Sequence, residues 1–167
     1  RLHDPKLREN FVERIFTLKR WREVLAKKES RGNLVDFHTQ HKLLILSHSP
    51  KNYEIMGKLV AQVKEIPLNN LYQQYQNILM EALQLKTTPK KNVNVLMHMM
   101  GYFKEQLSFD EKQELLEVID HYRQEVIPLI VPMTLINHYV RKYDQPYLKQ
   151  QVYLNPHPLE LQLRNHV

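Results

Sequence analysis

Leu34-Val-Asp-Phe-His-Thr-Gln-His-Lys-Leu-Leu-Ile-Leu-Ser-His48, followed by Ser49-Pro50, is the stretch on which the fold turns. It contains no glycine or proline and never alternates apolar with polar residues, so it reads as a helix and not as a strand. Ser49-Pro50 then supplies a cap and a first-turn proline, which closes this helix and opens the next. The same signals recur along the chain. Asp4-Pro5 opens a first helix whose apolar residues Leu7, Phe11, Ile15, Leu18 and Leu25 form a core-facing stripe to about Ala26. Ser30 to Asn33 breaks the chain, and the third helix ends before Pro67. A fourth runs from Leu68 to Leu85, and Thr88-Pro89 starts a fifth that reaches Leu107. Ser108-Phe-Asp-Glu111 is a capping box that opens a sixth, to about Val126. A seventh follows Pro128, with Pro132 in or near its first turn. Beyond Asp144, prolines at 146, 156 and 158 allow only short helical pieces, around Tyr147–Tyr153 and Leu159–Arg164. The predicted fold class is all-α: residues 1–167 as one compact bundle of about seven helices with short C-terminal pieces.

Composition narrows the chemistry. The chain has 167 residues and no cysteine, so thiolate catalysis, disulfides and cysteine-bound metal centres are excluded within it. Three isolated glycines cannot build a dinucleotide or Walker loop. The longest strongly apolar run, Val126 to Ile136, is broken by two prolines and is too short to span a bilayer. No signal peptide opens the sequence, so the expected location is the cytoplasm. The first residue is Arg1, which suggests a domain cut from a longer protein, or a processed or trimmed one.

The net charge of +6 is unevenly spread. Residues 1–31 carry ten basic and five acidic residues, and residues 86–104 carry Lys86, Lys90, Lys91 and Lys104 with no acid. Residues 105–125 reverse this, with seven acids against Lys112 and Arg123. Two basic segments can present a face to a polyanion, and they can equally be solvated helix surface.

At about 100° per residue, Leu34, His38, His41, Ile45 and His48 share about 80° of arc, so three histidines lie on a stripe that should be buried. Asn94, His98, Gly101, Tyr102 and Glu105 make a second polar stripe, and Thr134, Asn137, His138 and Arg141 a third. Three readings follow: a metal or acid/base site, a buried hydrogen-bonded network, or a pocket that reads nucleotides by stacking and hydrogen bonding. A metal is not expected, because the histidine pair lacks a neighbouring carboxylate on its face. Lys86-Thr-Thr-Pro-Lys-Lys-Asn92 gathers hydroxyls, lysines and a helix start where a phosphate can bind, or where a loop is simply capped. Trp21, set among Lys19, Arg20, Arg22, Lys27 and Lys28, can stack on a base or pack into the core. Arg141, Lys142, Tyr143, Tyr147, Lys149 and Tyr153 mix basic and aromatic residues as single-strand binders do, and as docked terminal helices also do.

Phe37-His38-x-x-His41-Lys42-Leu43-Leu44, His48-Ser49-Pro50, Tyr53 and Met56-Gly57-x-Leu59-Val60 resemble the YbgA family, a domain of unknown function. Asn92-Val-Asn-Val-Leu-x-His98 with Gly101-Tyr-Phe-Lys104, then Pro128-Leu-x-Val-Pro132-x-Thr134-Leu135, and finally Tyr153-Leu-x-Pro-His-Pro158 resemble its later signatures. Arg1-Leu-x-Asp-Pro5-x-Leu7-Arg8-x-x-Phe11 is similar to the junction where this domain follows a TudS-type desulfidase domain. The resemblance implies a tRNA-binding accessory half of a tRNA 4-thiouridine desulfidase. Any 4Fe–4S cluster is then expected in the N-terminal domain, in cis or in trans, with no cofactor in this chain and no membrane partner. The candidate RNA-binding residues are His38, His41, Lys42, Lys86, Lys90, Lys91, Asn94, His98, Tyr102, Lys104, Arg141 and Lys142. The competing readings are a histidine-based metal or catalytic domain and a module that docks a partner through an apolar helix face.

Overall fold

The computed structural model describes residues 3–166, and every regular element among them is a helix. They are α1 (Pro5–Ala26), α2 (Arg31–His48), α3 (Pro50–Ala61), α4 (Leu68–Gln84), α5 (Pro89–Gly101), α6 (Phe109–Arg123), α7 (Ile130–Lys142), α8 (Pro146–Lys149) and α9 (Pro158–Leu163). The expected bundle is what the chain forms. The caps act as predicted: the Asp4 carboxylate accepts from the Lys6 and Leu7 N–H groups, Ser49 caps α3, and Thr88 caps α5. The capping box of Ser108 and Glu111 is complete.

Helix α2 is the axis of the fold. From Leu43 to Ser49 every residue is buried, the signature of a helix covered on all sides. One core packs its Leu34, Phe37 and Ile45 against Trp21, Met56, Leu59, Leu71, Tyr75 and Leu79 of α1, α3 and α4. The other packs Leu43, Leu44 and Leu46 against α5, α6 and α7 through Val95, Met99, Leu115, Ile119, Met133 and Ile136. Tyr53 touches both cores.

Several boundaries differ from the sequence reading, each for a local reason. Ser30 caps α2, so it starts three residues before Leu34. After Ala61, where α3 ends, the chain tightens to three-residue bonds such as Val63 N–H to Val60 O, and the Arg31 guanidinium donates to the Val63 and Ile66 carbonyls, the first of which Pro67 has no N–H to reach. Helix α5 stops at Gly101, and the next turns tighten to three-residue bonds such as Lys104 N–H to Gly101 O. Glu125 and Asp144 adopt φ of 58° and 49°, which ends α6 and α7 with left-handed residues.

The largest departure is in α1. Its buried residues are Glu9, Glu13, Thr17 and Trp21, whereas Phe11 and Ile15 of the expected core stripe are 52% and 47% exposed. The inward carboxylates are matched by cations from distant segments. Glu13 accepts from His48 Nε2 at 2.7 Å and from Arg164 Nη2 at 3.4 Å, and Arg164 lies 3.8 Å from Glu9. Glu160, also buried, accepts from Arg20 at 2.8 Å. Glu9, Glu13 and Glu160 thus face His48, Arg164 and Arg20, and a buried charge cluster is tolerated only when paired in this way.

Candidate nucleic-acid interface

The histidine stripe of α2 is interior. His38 Nδ1 meets the Tyr75 hydroxyl at 3.1 Å, and His41 Nδ1–H donates to the Phe37 carbonyl at 2.8 Å. Burial holds both imidazoles neutral, with pKa values near 4 (lowered to about 4), helped by Lys42 for His38 and by Arg20 for His41. His41 lines a cleft with Arg20, Lys27, Asn33, Asp36 and Gln40, and its Nε2 has no partner among the described residues. His48 is different. Burial alone would lower its pKa, but the Glu13 carboxylate outweighs burial and raises it. For Glu13, burial pushes upward, while His48 and Arg164 more than reverse this. Each group of the pair therefore favours the charged form of the other. Each histidine binds a different partner, and no group of three metal-ligating side chains occurs among the described residues.

The α5 stripe faces outward. Lys90, Asn94, His98 and Tyr102 are spaced by four residues, all exposed, and form one row about 18 Å long. Lys86 precedes the row and is exposed too. Around its C-terminal end three other helices add side chains. Lys42 of α2 is half-buried, with its ammonium 5.6 Å from the centre of the Tyr147 ring. Tyr102 stacks on that same ring at 4.6 Å and 20°. Tyr53 of α3 meets His98 edge-on at 6.3 Å. Burial raises the Tyr147 pKa, and Tyr102 adds to this, so the phenol stays neutral. The result is a ridge with lysines at one end and an exposed aromatic group at the other. Flat rings and a cation–π pair can stack bases there, and ammonium groups can neutralise phosphates.

Other candidate residues are placed elsewhere. Lys91 is spent inside the fold: its ammonium donates to His48 O at 2.7 Å and Lys86 O at 2.8 Å, and burial lowers its pKa. Thr87 N–H donates to Asn10, and the Thr88 hydroxyl accepts from Lys91 N–H, so the Lys86–Asn92 loop is internally bonded. Lys104 and Arg141 are exposed. Lys142 is exposed but donates to Glu111 at 2.6 Å. Hydrogen bonds from Lys142, Tyr143 and the Ser108 N–H hold the Glu111 carboxyl at about 2. In the α7 stripe, Thr134 bonds Ile130 O and Asn137 bonds Leu154 O, so the three stripes do not meet in one site. Trp21 is buried among Phe37, Tyr72 and Tyr75 and donates to Gln76. Sequence reasoning missed Tyr53 and Tyr147 as partners of the ridge, since their contacts join segments far apart in the chain. It also missed the Glu13–Arg164 pair, for which no local signal exists.

Residues 42–158 match the family described as "Protein of unknown function (DUF1722)", and this all-α chain belongs to that family. It is 34% identical over 153 residues to the protein of Escherichia coli strain K12 named "Uncharacterized protein YbgA", covering 91% of this chain and 90% of that one. No solved structure matches. No described helix is long and apolar enough to cross a membrane.

Proposed function

We propose that this domain binds RNA, with tRNA as the partner, along the α5 ridge. The observation that carries the reading is the row Lys90–Asn94–His98–Tyr102, exposed along its length and joined at its aromatic end by Lys42, Tyr147 and Tyr53. Unpaired bases of a tRNA loop stack on Tyr102, and Lys86 and Lys90 neutralise phosphates as the strand runs toward the start of α5. Residues 86–104 contain no acid, which suits a polyanion.

The resemblance to chains fused with a TudS-type domain extends this reading to a cytoplasmic accessory role in removing sulfur from 4-thiouridine. An iron–sulfur cluster has no cysteine ligand here, so that chemistry belongs to the TudS-type domain, in cis or in trans. The chain's own contribution is to hold and orient the RNA.

The test is anisotropy titration of fluorescent tRNA. Tyr102→Ala removes a stacking platform and is expected to weaken binding by about 1–3 kcal/mol, or about fivefold to 150-fold, while the lost stack on Tyr147 lowers the melting temperature by no more than about 6 °C. Unchanged affinity in Tyr102→Ala and in Lys42→Ala would remove the ridge from the interface.

A further inference from the structure

The cleft between α1 and α2 holds polar groups that the fold leaves unanswered. His41 is 2% exposed, and its ring lies flat on Phe37 with the centroids 3.9 Å apart. The Phe37 carbonyl can only accept, so at 2.8 Å it fixes the ring proton on Nδ1. Nε2 is then a bare lone pair, buried and without a hydrogen-bond partner among the described residues. No other histidine of α2 has a buried ring nitrogen in this state. Arg20, which lines the same cleft, is its counterpart. Its Nη2 donates to Glu160 at 2.8 Å, whereas Nη1 is buried with no acceptor among the described residues. The two groups are close enough for the guanidinium charge to act on the imidazole. Buried polar atoms without partners are costly and few in native structures, and here an acceptor and a donor of that kind share one cleft.

The cleft has the size and character of a small-molecule site. Its volume is 410 Å³, inside the range of about 300–1,000 Å³ that such sites occupy. Val24, Phe37 and Val152 give it apolar wall, and its charged side chains cancel, Arg20 and Lys27 against Glu23 and Asp36. An anion entering it meets two carboxylates and an imidazole lone pair. A metal ion meets two cations, and no group of three ligating side chains occurs among the described residues. A neutral ligand fits. It must give a proton to His41 Nε2 and accept one from Arg20 Nη1, so it carries a donor beside an acceptor. A planar lactam edge, N–H next to C=O, meets both demands, and a guanidinium favours carbonyl oxygen as it does at guanine O6. Uracil, guanine and hypoxanthine present that edge. Adenine and cytosine place an amino group beside a ring nitrogen instead.

We propose that the α1–α2 cleft binds a nucleobase by its lactam edge, His41 Nε2 accepting from the ring N–H and Arg20 Nη1 donating to the carbonyl oxygen. Both protein atoms are shielded from solvent, so binding includes a side-chain shift at the cleft, for which exposed Lys27 and Gln40 have the rotamer freedom. The base comes as a free nucleoside or unstacked from an RNA strand, with the same edge in either case. The cleft shares no residue with the α5 ridge and does not depend on the reading of that ridge.

The experiment is titration of the full chain with nucleosides, followed by nitrogen NMR of the histidine rings, with circular dichroism melts of each variant. Uridine or inosine should bind saturably and move the His41 Nε2 resonance. N3-methyluridine and N1-methylinosine, which lack only the ring N–H, should bind at least about tenfold more weakly than their parents, as should adenosine and cytidine. His41→Phe keeps an aromatic ring on Phe37 and removes Nε2, and Arg20→Lys keeps a cation for Glu160 and removes the second donor. Each should weaken nucleoside binding at least about tenfold. The methylated nucleosides make the same test on the parent chain, so a variant that fails to fold does not stop it. A short oligouridylate that binds more tightly than uridine assigns the cleft to a base within RNA, and one that does not assigns it to a free nucleoside. No saturable binding of uridine or inosine up to about 10 mM, equal binding of the methylated forms, or a His41 resonance that stays in place overturns the proposal. These nucleosides carry no phosphate, so failure of tRNA to bind at the α5 ridge leaves the result standing.

Discussion

Replacing Glu13 by Gln keeps the shape of the side chain and removes one buried negative charge. In the parent, Glu13 sits between His48 Nε2 at 2.7 Å and Arg164 Nη2 at 3.4 Å, all three side chains being almost wholly buried. Without the negative charge, Arg164 keeps Glu9 at 3.8 Å and the Tyr153 carbonyl, and His48 keeps the Leu85 carbonyl and a neutral amide oxygen, which cannot balance an imidazolium. Removing one partner of a buried ion pair costs about 3–5 kcal/mol, a large part of the stability of an ordinary domain. For a chain of this size that is a fall of about 6–20 °C in melting temperature. The loss should depend on pH in a definite direction. His48 has a raised pKa, so its pairing with Glu13 stabilises fully below about pH 6.5 and is lost as pH rises through the raised value. Glu13 has a lowered pKa, so its share is present above about pH 4.5 and is lost as pH falls through the lowered value. Melts followed by circular dichroism should therefore show the widest gap between parent and Glu13→Gln between about pH 4.5 and 6.5, narrowing toward alkaline pH. A variant that melts within about 2 °C of the parent at pH 6 would refute the claim that this cluster holds α1 to the bundle.

Adjacent lysines should separate by role: Lys91→Ala should destabilise the fold by about 1–3 kcal/mol by stranding the His48 and Lys86 carbonyls, whereas Lys90→Ala should leave the melt unchanged. Filter binding of tRNA should show the log–log salt slope of Lys86→Ala with Lys90→Ala flattened by about one for each lost phosphate contact, and an unchanged slope would exclude them. His38 and His41, with pKa values lowered to about 4, resist protonation in the folded state, so they stabilise fully above their unfolded value of 6.5. Between pH 6.5 and 4 their combined effect should cost about 2.7 kcal/mol per pH unit, measurable by urea unfolding at stepped pH, and a flat profile in His38→Gln with His41→Gln would confirm the source. Elemental analysis of untagged protein should find no stoichiometric transition metal; about one equivalent, lost in His38→Ala with His41→Ala, would favour the histidine-site reading.

How far the sequence reaches depends on whether the deciding interaction is local. Caps at Asp4, Ser49, Thr88 and Ser108 are local chemistry, and the helices they open are the helices that form. Helix α1 shows the opposite case. Its apolar periodicity points to Phe11 and Ile15 as core, but Glu13 is drawn inward by cations 35 and 151 residues away. Periodicity weighs burial alone and cannot register a charge cluster assembled from three distant segments. The His38/His41/His48 stripe is legible as a buried stripe, yet its polar residues are satisfied one by one, by Tyr75, Phe37 and Glu13, instead of converging. The ridge on α5 is half visible in the sequence. Its four-residue spacing is in the sequence, but Lys42, Tyr53 and Tyr147 join it only through the packing of α2, α3 and α8. The lysine run at 86–91 read as uniform, although Lys91 turns back onto carbonyls and its neighbours do not.

The most direct measurement is photo-crosslinking of the chain to tRNA that carries 4-thiouridine, whose thiocarbonyl reacts on illumination with side chains in contact, followed by mass spectrometry of the crosslinked peptides. Adducts are expected on the peptides holding Asn94 to Tyr102, Lys42 and Tyr147, reduced by Tyr102→Ala and competed away by unlabelled tRNA. Adducts confined to other surfaces, or adducts that unlabelled tRNA does not displace, would contradict RNA binding at the α5 ridge.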